Sequence, residues 1–309
     1  MSEENELLDT SSSCCASCGI AEIDDIKLKE CDDGCDLVKY CSDECQNNHK
    51  LQHEEACKKR AAELRDELLF KQPESNHFGD CPICCLPLPL DIEKSTLQAC
   101  CSKIGCRGCI YAHKMRENEL RIRQSCPFCR KPAPETEAEV ERRNTKRAEA
   151  NDPVALSNEG AKYYRNEDYR KALENFSKAA ELGDASAHLY LARMYHKGLG
   201  VEEDEEKTLY HVEEAAIGGH PEARYALGDH EWDVNKNNER AVKHWIIAAT
   251  QGDDDSIKAL IDAFKRGHVS KETLVATLRA HKAAVDETES PQRKAADEYF
   301  RIMDLYGNI

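Results

Sequence analysis

The second half of the chain repeats a phrase of small apolar residues. Ala179-Ala180-Glu-Leu-Gly183-Asp-Ala-Ser-Ala187 returns as Ala215-Ala216-Ile-Gly-Gly219-His-Pro-Glu-Ala223, and again as Ala248-Ala249-Thr-Gln-Gly252-Asp-Asp-Asp-Ser256, at offsets of 36 and 33 residues. Periods of this length mark stacked helix pairs. Paired alanines let neighbouring helices approach, and each following glycine ends its helix in the left-handed conformation. Asn158 to Ala180 reads as a preceding pair joined by a tight Arg-Asn-Glu-Asp turn, and Ser270 to Val285 as a later helix. Ser290-Pro291 has the form of a cap and first helical position. The stripe Tyr299, Ile302, Met303, Tyr306 then follows at helical spacing, as expected of a helix capping the array. Lys131 to Asn151 is highly charged with little to bury, and reads as a linker helix.

The first half has a different pattern. All 17 cysteines fall between Cys14 and Cys129, with few large apolar side chains among the first group. About forty residues of that kind do not fold without a staple. No apolar run reaches the ~20 residues of a membrane helix, and the acidic start MSEENELLDTSSS has the form of neither a secretory signal nor a transit peptide. The expected compartment is therefore a reducing one, cytoplasmic or nuclear, where dense cysteine signals metal and not disulfide. A net charge of −16 counts against nucleic acid as main partner, since phosphate binding needs clustered Lys and Arg.

Four pairs make up the first cluster: Cys15-x-x-Cys18, Cys31-x-x-x-Cys35, Cys41-x-x-x-Cys45 and His53-x-x-x-Cys57. They suffice for two tetrahedral sites. Tyr40-Cys41-Ser42, Cys45-Gln46 and the closing His53 to Cys57 resemble the MYND-type zinc finger. That resemblance implies interleaved sites, with Cys15, Cys18, Cys41 and Cys45 on one zinc and Cys31, Cys35, His53 and Cys57 on the other. His49 is left over as a packing residue. The departures are the three-residue gap between Cys31 and Cys35 and the spare Cys14, which competes with Cys15 as first ligand; the spacing favours Cys15. MYND fingers as a family grasp short proline-containing peptides, so such a partner is expected.

The second cluster holds Cys81-x-x-Cys84, Cys100-Cys101, Cys106-x-x-Cys109 and Cys126-Pro-Phe-Cys129. It looks like a RING-type finger, which implies Cys81, Cys84, Cys106 and Cys109 on one zinc. Cys126 and Cys129 would share the other with Cys100 and Cys101, or with His113 in place of one of these. The usual histidine after the third ligand is missing, and Cys85 is spare. Closed zinc sites are scaffolds, with no open position to activate water. RING fingers as a family grip a ubiquitin-conjugating enzyme through their zinc loops. The matching positions here are Ile83, Pro127 and Phe128, with Arg130 as the basic residue that would hydrogen-bond both ubiquitin and that enzyme. Leu191-Ala192-x-x-Tyr195-x-x-Gly198-x-Gly200-Val201 resembles a Sel-one-like repeat, a relative of the tetratricopeptide repeat, which offers a concave surface to proteins.

The expected organisation is thus multidomain, two small zinc-stabilised fingers with interleaved sites followed by an all-α solenoid of helix pairs. Its parts are a disordered start (1–13), the MYND-type finger (14–57), a helical linker (58–80), the RING-type finger (81–130), a charged linker helix (131–151), the repeats (152–285) and a capping helix (286–309). Four zinc ions are expected, two per finger. No residue stands out as a catalytic nucleophile or base, so any chemistry would be borrowed. The main expectation is a RING-type ubiquitin-protein ligase that recruits substrates with its repeats and first finger; the alternative is a non-catalytic adaptor.

Overall fold

The computed structural model describes residues 14–18, 20, 22, 27–32 and 34–306, with only the backbone of 304–306. The segment 1–13, expected to be a disordered start, lies outside them. The chain divides into two units, Met1–Lys71 and Gln72–Ile309.

In the first unit, strands β1 (Lys29–Glu30) and β2 (Lys39–Tyr40) pair antiparallel, with Lys29 opposite Tyr40. Helix α1 (Asp43–Leu69) follows at once. Ser42 starts it: the Ser42 hydroxyl accepts a 3.2 Å bond from the Cys45 N–H, and Asp43 and Glu44 sit at the positive end of the helix dipole. No Gly or Pro interrupts the 27 residues that follow. The linker expected over 58–80 is therefore not a separate helix. Its helical part continues one that begins inside the finger, and the chain is irregular beyond Phe70. The buried centre of this unit is Tyr40 and the thiols of Cys15, Cys31, Cys35 and Cys57, with Leu28 and Val38 partly buried against them. The Arg60 guanidinium donates to both carboxylate oxygens of Asp36 at 2.7 and 2.9 Å, which ties the helix to the loop carrying Cys31 and Cys35.

The second unit opens with a compact cysteine-rich part. A 3-10 turn (Ile92–Lys94) leads into the hairpin of β3 (Ser95–Gln98) and β4 (Lys103–Cys106), with Leu97 opposite Ile104. Helix α2 (Arg107–Glu119) leaves β4 without a spacer. The remaining helices are α3 (Glu137–Glu149), α4 (Pro153–Arg165), α5 (Tyr169–Glu181) and α6 (Ala185–Lys197). They continue with α7 (Glu205–Ile217), α8 (Pro221–Asp233), α9 (Asn238–Ala249) and α10 (Asp254–Lys265). The last are α11 (Lys271–Glu287) and α12 (Pro291–Tyr306). From α3 to α11 each helix packs on the next, and α4 also meets α6 as α9 meets α11, which is the geometry of a solenoid. Ala179, Ala215, Ala216, Ala248 and Ala249 are fully buried. Gly183, Gly219 and Gly252 take φ of 87, 81 and 95°, as the repeated phrase predicts. Phe176 is fully buried and stacks on Tyr190 at 4.5 Å.

Two expectations are corrected in this unit. The 131–151 segment is not a bare linker: α3 packs on α4, Ala148 is buried, and Asn144 and Thr145 donate to the buried Glu159 carboxylate at 2.9 and 3.2 Å. Charged residues on its outer side masked this packed side in the sequence. Nor does the C-terminal helix cap the array; α12 packs on α2 of the cysteine-rich part, with Tyr299 against Tyr111 at 4.7 Å. Its stripe remains part-exposed, Ile302 at 42% and Met303 at 50%, and the side chain of Tyr306 lies outside the described residues.

The segment before the second cluster is fastened to the solenoid. The His77 N–H donates to the Gly219 carbonyl at 3.0 Å, the Gln251 amide donates to the Ser75 carbonyl at 3.3 Å, and the His77 and His220 rings stack at 3.8 Å. Arg147 of α3 donates to Ser102 in the hairpin turn at 2.8 Å. Between the hairpin and the solenoid lies a cavity of about 500 Å³, lined by Ile92, Leu97 and Ile104 on one side and Leu189, Tyr190 and Arg193 on the other.

Candidate metal centres

Short loops and helix starts gather the donors. In the first unit the 15–18 loop pairs with β2 through a bridge between Cys15 and Lys39, which brings Cys15 and Cys18 to Cys41 and Cys45. Cys45 lies in the first turn of α1, His53 and Cys57 two and three turns on, and the last two share a helix face. They meet Cys31 and Cys35 from the loop between the strands. In the second unit two knuckles repeat one design, Cys81-Pro-Ile-Cys84 and Cys126-Pro-Phe-Cys129. In each, the residue after the last cysteine (Cys85, Arg130) donates its N–H to the first cysteine's carbonyl at 2.8 and 3.0 Å and takes φ of 54 and 61°.

Among the described residues four groups result: Cys15, Cys18, Cys41, Cys45; Cys31, Cys35, His53, Cys57; Cys81, Cys84, Cys106, Cys109; and Cys100, Cys101, Cys126, Cys129. Within each, all donor atoms lie within 4.8 Å of one another. A tetrahedral zinc with sulfur at about 2.3 Å requires sulfurs roughly 3.8 Å apart. The observed separations are 3.5 Å for Cys18–Cys41, 3.6 Å for Cys31–Cys57, 3.9 Å for Cys84–Cys106 and 3.8 Å for Cys101–Cys126. The donor sets therefore fit zinc in size and in softness.

The adjacent Cys100 and Cys101 reach one centre because of the hairpin turn between β3 and β4. The N–H groups of Cys101 and Ser102 both donate to the Gln98 carbonyl, at 3.0 and 2.8 Å, and Ser102 adopts φ 54°. The turn carries both thiols to the second knuckle, with Cys100 at 3.3 Å from Cys129. His113, the other candidate, lies elsewhere: its Nε2 is 3.1 Å from the Ser125 carbonyl and from the Glu117 carboxylate. Cys14 and Cys85 are exposed and belong to none of the groups. His49 packs beside the second group, its Nδ1 3.0 Å from the Tyr40 hydroxyl and its ring stacked on His53 at 5.7 Å.

The electrostatics call for a cation. Burial raises the Cys15 thiol, but N–H groups of Cys18, Cys41 and Ser17 outweigh it and hold the thiol down to about 6. Hydrogen bonding from Cys106 and backbone N–H groups of Cys106, Cys84 and Ile83 bring Cys81 down to about 4. Their neighbours move the other way. Cys41 is pushed up to about 12 by Cys18, Cys45 and Cys15, and Cys109 to about 12 by burial and then by Cys81 and Cys84. In the first and third groups one preformed thiolate thus resists ionisation of the rest, and a divalent ion removes that conflict.

The residues matched to a conjugating-enzyme surface are spread over both knuckles. Ile83 is 44% exposed and Arg130 is exposed, while Pro127 is part-buried. Phe128 is also part-buried, its ring edge against Gly105 of β4 and Lys103 over its face at 5.9 Å. Sequence reasoning missed Arg293 and Gly108, which join α12 to the third group; nothing local in the sequence marks a pair so distant.

Residues 15–57 match the family model of the MYND finger, and residues 157–184, 185–220 and 221–253 match that of the Sel1 repeat. A curated relative, chitin synthase regulatory factor 4 of Schizosaccharomyces pombe, is 32% identical over 92 residues, which are 29% of this chain and 14% of that protein. The chain thus spans a small fraction of that relative's length. Among solved structures, a Sel1 repeat protein from Oxalobacter formigenes is 22% identical with a TM-score of 0.43, over 56% of this chain and 71% of that one. A protective antigen of uropathogenic Escherichia coli with an SLR fold is 24% identical with a TM-score of 0.37, over 55% and 36%. The chain carries an N-terminal MYND-type finger and, toward its C-terminus, Sel1-like helical repeats.

Proposed function

We propose that the protein is a non-catalytic adaptor that bridges protein partners. Each of the four groups holds one zinc ion through all four of its residues, which leaves no coordination position for substrate or water. That closed donor set is the observation that carries the reading: the metal shapes surfaces and performs no reaction. The first finger takes a short proline-containing peptide, as its likeness to MYND fingers suggests. The repeats take a second partner, and the cavity between hairpin and solenoid is the surface offered to it. Apolar Ile92, Leu97 and Leu189 there suit an apolar side chain, and Arg165 suits a carboxylate beside it. The curated relative is named a regulatory factor, a description that suits a protein acting by contact.

The test is affinity capture with the zinc-loaded chain, followed by crosslinking. Partners retained by the intact protein should be lost at least tenfold on Leu189→Glu or Arg165→Glu, while a different set depends on the first finger. A chain that captures the same proteins after both changes and after chelation is not an adaptor of this design. A second reading, a RING-type ubiquitin ligase, is favoured by one observation, the exposure of Ile83 and Arg130 on the two knuckles. Autoubiquitination across a broad panel of conjugating enzymes, abolished by Ile83→Ala and by Arg130→Ala, would establish that reading instead. The adaptor reading expects no chains and no conjugating enzyme bound.

A further inference from the structure

The third group, Cys81, Cys84, Cys106 and Cys109, has a neighbour from the far end of the sequence. Arg293 of α12 is only 6% exposed. Its guanidinium donates to the Pro87 carbonyl at 2.7 Å, the Leu86 carbonyl at 3.2 Å, the Thr288 carbonyl at 2.6 Å and the Cys84 sulfur at 3.4 Å. The two knuckle carbonyls and the thiol are 206 to 209 positions away in sequence. Backbone approaches backbone at the same place: a Cβ on Gly108, between Cys106 and Cys109, would stand 2.8 Å from the Arg293 Cα and 2.9 Å from its nitrogen. Around this contact the Tyr111 and Tyr299 rings pack at 4.7 Å, and Arg107 lies over the Phe300 ring at 4.9 Å.

A zinc ion with four thiolates carries two net negative charges. A buried guanidinium that hydrogen-bonds one of those sulfurs offsets part of that charge and fixes the ligand's direction. Its planar fork allows Arg293 to hold the knuckle carbonyls at the same time, a geometry a lysine ammonium does not reproduce.

We propose that α12 is an integral part of the third metal centre, with Arg293 as a positioning residue for Cys84, so that retention of this ion and docking of α12 are coupled. The coupling is reciprocal: loss of the ion releases α12, and a partner that draws α12 away loosens the ion. The proposal rests on the reading that this group holds zinc.

The experiment uses the full chain loaded with four zinc ions. It is challenged with increasing chelator, alkylated, and mapped cysteine by cysteine by mass spectrometry. In Arg293→Gln, Cys81, Cys84, Cys106 and Cys109 should become reactive at chelator concentrations 10- to 100-fold below wild type, the usual scale for an outer-shell partner, while the other three groups keep their thresholds. Gly108→Ala, which alters no donor and improves local helix propensity, should give the same selective loss by displacing α12. The double variant should lose little beyond the worse single variant, the mark of one shared contact. In the cadmium-substituted chain, Arg293→Lys should shift the cadmium-113 resonance of this group alone. Wild-type thresholds in both single variants, or equal losses from all four groups, overturn the proposal. Alkylation of these four cysteines in wild type without chelator has a different meaning: it overturns the premise of a third zinc, and the proposal with it.

Discussion

At the scale of single residues, the clearest contrast is between bound and spare thiols. Cys101 stands 3.8 Å from Cys126 in the fourth group, whereas Cys85, equally adjacent to another cysteine, is exposed and outside every group. Native mass spectrometry should therefore find one ion fewer in Cys101→Ser and the full complement in Cys85→Ser; the reverse would exchange their roles. A second residue-scale effect involves the stacked imidazoles. Burial, and then the adjacent His220, hold His77 down to about 2, and burial, with Arg193 a lesser cause, holds His220 down to about 4. Both fold as neutral rings, whereas an unfolded imidazole titrates near 6.5. Below that value the unfolded chain binds protons that the folded chain refuses. This contribution to stability is complete above about pH 6.5 and is lost progressively as the pH falls toward 4 and below. His77→Phe keeps a ring between His220 and Phe78 and removes one of these groups. Its urea midpoint should fall less than that of wild type between pH 7 and pH 5, and parallel curves would refute the assignment.

At the scale of elements, caps and small-residue contacts set the boundaries. Asp253 accepts a 2.7 Å bond from the Ser256 N–H at the start of α10. Asp253→Ala should cost about 1 kcal/mol in denaturant unfolding, and Asp253→Asn much less. Phe176, fully buried between α4, α5 and α6, should cost about 3–5 kcal/mol on truncation to Ala, enough to loosen the first repeats. These elements were legible in the sequence because each rests on local chemistry: an Asp or Ser before the helix, an alanine pair inside it, a glycine after it. The metal donors were legible for the same reason, being short spacings that a knuckle or one helical turn can satisfy. Whether Cys100 and Cys101 share a centre was not, because that depends on a four-residue turn whose left-handed Ser102 carries no sequence signal. The surface beneath Tyr299 and Ile302 was equally hidden: an apolar stripe predicts a buried side without naming what covers it.

At the scale of the whole molecule, two kinds of core meet in one chain. The clusters in the repeats are built from Leu156, Phe176, Leu191, Trp245 and Leu260, whereas those around the metal groups consist largely of thiols. Chelation should then dissolve the fingers and spare the array. Circular dichroism should keep most of its helical signal, and limited proteolysis should leave a fragment of roughly 150–290 intact while cutting between Cys15 and Cys129; complete loss of helix would refute this division. The contact of Arg293 with Cys84, 209 positions apart, also has a bearing on synthesis. A ribosome adding about 5–20 residues per second needs roughly 10–40 s to supply the arginine after the thiol has emerged. A premature stop between codons 130 and 293 would release a product with every donor residue present and one ion poorly held, a defect that no inspection of its cysteines would reveal.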